Sequence, residues 1–81
     1  MKKKQINEID LHGIRHQKAL DLVSQTLYNN QLQGSFTLTI ITGNSSYLQK
    51  IIFDEILEGS QYKYYIPTWN LGQIIVEYIE L

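Results

Sequence analysis

Residues 9–20, IDLHGIRHQKAL, decide the fold, because a pattern of period two changes into a helical one inside them. Ile9 and Leu11 point one way and Asp10 and His12 the other, as a strand over residues 8–12 requires. Past Gly13 the apolar positions Ala19, Leu20, Val23 and Leu27 recur at helical steps, which predicts an amphipathic helix over about residues 16–32, with Gly34 as its stop. A strand that feeds a helix at once starts a crossover to a parallel neighbour.

Working outward, FTLTIIT at residues 36–42 alternates apolar and threonine positions like a half-buried strand. GNSS then interrupts it with capping residues, and Leu48, Ile51, Ile52 and Ile56 carry a second helix up to Glu58, ended by Gly59. YKYYIP at residues 62–67 and QIIVEYIEL at residues 73–81 read as two further strands joined by the short TWNLG connection of a hairpin. Right-handed crossovers place parallel strands side by side, and two helices cannot cover both faces of a sheet. The expected fold is therefore an α/β two-layer sandwich of order β-α-β-α-β-β, a four-stranded mixed sheet with two helices on one face. Its other face is left to Thr37, Thr39 and the side chains of Asp10 and His12.

Composition sets the outer bounds. With 81 residues, 43% of them hydrophobic and 19% charged, the chain suits one small globular core and not a disordered segment. It has no cysteine, which removes disulfides, thiolate catalysis and cysteine zinc sites and fits the cytoplasm. No apolar run nears the roughly 18 residues of a membrane span, and Lys2, Lys3 and Lys4 lead into polar residues, not a signal segment. Residues 1–7 are assigned to a basic N-terminal tail and residues 8–81 to a single domain. Three of the seven Lys and Arg residues lie in that tail, leaving four against eight Asp and Glu, so any polyanion must be met by a local patch. Lys2 to Lys4 with Arg15, His16 and Lys18 form the one such patch.

The strand-to-helix joint gathers chemistry. On one strand, Asp10 and His12 are two residues apart and share a side, about 6.6 Å from each other along the backbone. An imidazole is the usual proton shuttle near neutrality. TGNSS forms a matching joint at the next strand, where Gly43 permits a tight turn and amides of the first helical turn suit a phosphate. His16, Trp69 and the tyrosines at 62, 64, 65 and 78 are assigned to helix, loop and strand packing.

Taken together, DLHGIRHQKAL and IITGNSSYLQKII resemble the Smr (small MutS-related) domain, marked by an L-D-x-H-G strand end, an A-L-bearing helix and a downstream T-G or H-G turn. The likeness extends to the final glycine-led strand, LGQIIVEYIEL. It implies nuclease activity, either nicking of DNA or endonucleolytic cleavage of RNA, and for some members recruitment to ribosomes. Carried over, the acid and imidazole fall on Asp10 and His12 as catalytic residues. Phosphate or nucleic-acid contacts fall on Gly13, Arg15, Thr42, Gly43, Asn44 and Ser45. Two positions depart from the pattern: many members continue the turn as G-x-G where this chain reads GNSS, and Lys18 stands where a glutamate often precedes the alanine. TGNS turns look like those of short stand-alone Smr-like proteins, including viral ones.

RNA is the slightly favoured substrate, since its own 2'-hydroxyl can act as nucleophile. DNA would need an activated water, and Asp10 with His12 supplies at most two ligands to a divalent cation, Mg or Mn, so no dedicated protein metal site is expected. The rival readings are a non-catalytic nucleic-acid or ribosome-binding module, and a protein-binding adaptor using the open sheet face or the tyrosine-rich hairpin. Oligomeric state is not encoded in any pattern of the sequence.

Overall fold

Alternating burial along the first two strands turns their buried apolar side chains to one sheet face, while the last strand buries Ile74, Ile75 and Val76 in a row. In the computed structural model, which describes residues 5–81, the elements in chain order are β1 (Glu8–Asp10), α1 (His16–Gln31), β2 (Phe36–Ile41), α2 (Ser46–Ile52), β3 (Lys63–Tyr65) and β4 (Gln73–Tyr78). The sheet order is β1-β2-β4-β3, with β1 parallel to β2 and the other two neighbouring pairs antiparallel. The molecule is thus the α/β sandwich its sequence pattern predicts, with a four-stranded mixed sheet and two helices. The second crossover skips a position: β4 lies between β2 and β3.

Cross-strand register explains the layering. Ile9, Ile40 and Ile74 are paired neighbours, as are Leu38, Val76 and Tyr64, and these rows meet Ala19, Val23 and Leu27 of α1 and Leu48 and Ile52 of α2 in one core. The opposite face carries Thr37 beside Glu77 and Lys63, and Thr39 beside Ile75 and Tyr65. Both helices of the described residues pack on the first face; on this one Tyr65 stays exposed, although Ile75 is buried.

Several boundaries differ from expectation for local reasons. β1 stops at Asp10 instead of running to His12, because the Asp10 carboxylate captures the His12 N–H (2.8 Å) and Ile14 N–H closes a turn onto Leu11 O (3.0 Å). β4 ends at Tyr78, opposite the first residue of β2, so residues 79–81 have no ladder to join. The second helix is not α-helical to Glu58. Its last turn, Phe53–Leu57, widens to a π-helix closed by Glu58 N–H on Phe53 O (2.7 Å). In an α-helix a residue five positions on lies about 140° away, whereas with the wider turn Ile52 and Leu57 are both fully buried in the core.

Of the proposed tail, Lys2, Lys3 and Lys4 lie outside the described residues. Residues 5–7 are bonded to the body. The Gln5 amide donates to Asn30 O (3.1 Å) and Ser35 O (3.1 Å), buried Asn30 brackets Ile6 through its N–H (2.9 Å) and O (2.7 Å), and Asn7 O receives Thr39 N–H (2.9 Å).

Candidate functional site

Parallel pairing of β1 with β2 carries both strands to the same end of the sheet, and the Leu11 N–H bond to Ile41 O (2.9 Å) extends the pairing by one residue. The two strand-to-helix joints are therefore neighbours. Between them lies a cleft of about 330 Å³. One wall comes from Leu11, His12, Gly13, Ile14 and His16, the other from Thr42, Gly43, Asn44, Ser45 and Leu48. Leu11 and Leu48 are buried and form its apolar base, while His12 and Asn44 are exposed.

Turn chemistry presents His12. Gly13 has φ +76°, His12 does not share the left-handed region, and the Ile14 to Leu11 bond closes the four residues. A positive φ at the third position alone defines a type II turn, which sets His12 at the corner and needs glycine after it. Asp10 completes this corner by accepting the His12 main-chain N–H. The expected arrangement of two side chains on one strand face is thus corrected. His12 stands beyond the strand, and the Asp10 carboxylate bonds to its backbone.

The other wall is braced from behind. Thr42 and Gly43 both donate their N–H to Gly72 O, at 2.9 and 3.0 Å, and the Thr42 hydroxyl reaches the same oxygen at 3.1 Å. The side-chain amide of Gln49 donates to Thr42 Oγ1 (2.9 Å) and Leu71 O (2.8 Å), tying α2 to both loops. A Cβ on Gly72 would meet Gly43 O at 3.2 Å, so this close approach favours glycine. Ser45 caps α2 by accepting Leu48 N–H (3.2 Å). Gly43 has φ +65°, and its N–H is already committed. The amides of Asn44 and Ser45 have no acceptor among the described residues.

Of the residues singled out in the sequence, the cleft brings together His12, Gly13, Thr42, Gly43, Asn44 and Ser45. Asp10 and Arg15 do not line it. Asp10 sits behind His12, and Arg15 is the exposed residue that precedes α1. His16, which the sequence puts in the basic patch and in helix packing, lines the wall, and three contributors escaped the sequence reading: Tyr47 against the wall, and Gln49 and Gly72 behind it.

Among the described residues no three His, Asp or Glu side chains gather to hold a metal ion. A hard divalent cation is usually held by carboxylates, and the cleft lining holds two imidazoles and neutral oxygens but no Asp or Glu, so its side chains do not fit a protein-built Mg or Mn site. No helix among the described residues is long and apolar enough to cross a membrane.

Compared with known proteins, the chain matches the family described as the Smr domain over residues 9–66, a span that holds both walls of the cleft. No curated protein and no solved structure matches it.

Proposed function

The chain belongs to the Smr domain family, a membership that points to nucleic-acid binding or nicking, and from it we propose a small endonuclease that cleaves RNA in preference to DNA. One observation supports the reading above the rest: His12 shares a single open cleft with the turn formed by residues 42–45. An imidazole able to transfer a proton and main-chain donors suited to a phosphate would then meet one substrate.

In the proposed reaction the imidazole of His12 takes the proton of a 2'-hydroxyl. A bond forms from that oxygen to the adjacent phosphorus as the bond from phosphorus to the 5'-oxygen breaks. The products are a 2',3'-cyclic phosphate and a 5'-hydroxyl, whose proton comes from water. The Asn44 and Ser45 amides face the charge that develops on the phosphate. Arg15, outside the wall, attracts the strand electrostatically. Asp10 acts through the main chain, as a positioning residue for His12. No step is routed through a metal ion.

His12→Ala should lower cleavage of a labelled RNA by about 10²- to 10⁴-fold, the usual worth of a general acid or base. An alanine variant that cleaves RNA and nicks plasmid DNA at the parent rate would reject the role. The second reading, a nucleic-acid or ribosome-binding module without turnover, is favoured by the commitment of the Gly43 N–H to Gly72, which leaves fewer donors for a transition state. It predicts salt-dependent binding with no product, and a product gel run beside the binding assay separates the two.

A further inference from the structure

Two rings beside the cleft take no part in the core. His16 opens α1 and lines the wall, while Tyr47, the second residue of α2, packs on it with centroids 5.0 Å apart and planes tilted by 46°. Tyr47 nonetheless remains 60% exposed. An exposed tyrosine has rotamers to lose when it binds. This one is already braced by a ring from the other joint, so its ordering cost on binding is reduced. The cleft itself, about 330 Å³, falls at the small end of the ~300–1,000 Å³ typical of small-molecule sites and holds more than a bare phosphate group.

An exposed aromatic face next to a phosphate seat suits one partner in particular. Unpaired bases stack on aromatic side chains whatever their identity, because every base has a π face, whereas bases within a duplex already spend both faces on their neighbours. On the premise that the cleft binds nucleic acid, we propose that Tyr47, held by His16, is a stacking platform for an unpaired nucleobase, and that the ligand is therefore single-stranded or looped. The phosphate in the cleft and the base on Tyr47 then belong to adjacent parts of one strand.

The test is fluorescence anisotropy on the His12→Ala chain, which keeps RNA intact, with four probes of equal length: single-stranded RNA, single-stranded DNA, duplex RNA and a fully abasic strand. The single strands should bind more tightly than the duplex or the abasic strand, and the RNA and DNA arms show whether the sugar matters. Adding Tyr47→Ala should weaken single-strand binding by about 5- to 150-fold, the range of one base stack, and leave duplex and abasic binding in place. Tyr47→Phe should retain the parent affinity. Tyr28→Ala removes an equally exposed tyrosine of α1, 63% exposed, and about 18 Å along the helix from His16, so it should change nothing. An unchanged single-strand affinity for Tyr47→Ala, or an equal loss on all four probes, overturns the platform while leaving nucleic-acid binding intact. A parent chain that binds none of the four overturns both.

Discussion

At Asp10 a carboxylate oxygen holds the His12 main-chain N–H at 2.8 Å. Asparagine keeps an acceptor at that position and alanine does not. Asp10→Asn should therefore leave most of the cleavage rate, while Asp10→Ala should lower it further and cost about 0.5–1.5 kcal/mol of stability, the net worth of one hydrogen bond. Rates and urea midpoints for the pair check this. Equal rates for the two variants, both far below the parent, would show that the negative charge matters and not the turn. The D-x-H-G spacing was legible in the sequence because glycine after a turn corner is a local requirement. The role of the aspartate was not, since capture of an amide two residues on competes with the strand ladder and leaves the alternation of residues 9–12 unchanged. The ring contact of His16 was hidden for a different reason. Its meeting with Tyr47 joins residues from two separate helices, and no periodicity within either helix encodes that.

Among the elements, α1 and β2 were readable because each buries one face along its whole length. Edges and ends were harder: β3 spans only Lys63–Tyr65, and where β4 stops depends on the first residue of its partner β2. The N-terminal segment shows how a polar residue can join elements. Asn30, buried in the last turns of α1, brackets Ile6 by accepting its N–H and donating to its O, as a neighbouring strand would. Asn30→Leu keeps the bulk and removes both bonds, leaving two backbone groups of Ile6 without their partner. We expect a loss of about 1–3 kcal/mol. For a domain of this size that lowers the melting temperature by about 4–8 °C per kcal/mol, readable by circular dichroism. Cleavage measured well below the transition should match the parent, because this contact is remote from the cleft. A melting temperature within a degree of the parent would mean that water replaces the lost side chain.

Across the whole molecule the two ends of β2 do different work. At its start Phe36 packs against Tyr62 and Tyr78, with ring centroids 6.0 and 5.8 Å away, and at its finish Thr42 enters the cleft wall. About 20 Å of extended chain separates an aromatic clamp from the open site, so the first can be altered without touching the second. Tyr62 also donates its hydroxyl to Gln31 at the end of α1, which joins the clamp to the helix layer. Burial, reinforced by the neighbouring Tyr78, raises the Tyr62 phenol above its ordinary range. The folded chain then holds that proton more tightly than the unfolded chain does. The resulting stabilisation is complete below the usual phenol value of about 10 and is lost as pH climbs from there through the raised value. Tyr62→Phe keeps the ring contacts and removes both the bond to Gln31 and the ionisation. Its urea midpoint should lie below that of the parent at pH 8, and the gap should narrow steadily above pH 10 as the parent loses what the variant never had. Titrating both proteins from pH 8 to 11 cancels the other tyrosines and the lysines, which the two share. A gap that stays constant over that range would mean the Tyr62 proton is held no more tightly in the folded clamp than in the unfolded chain.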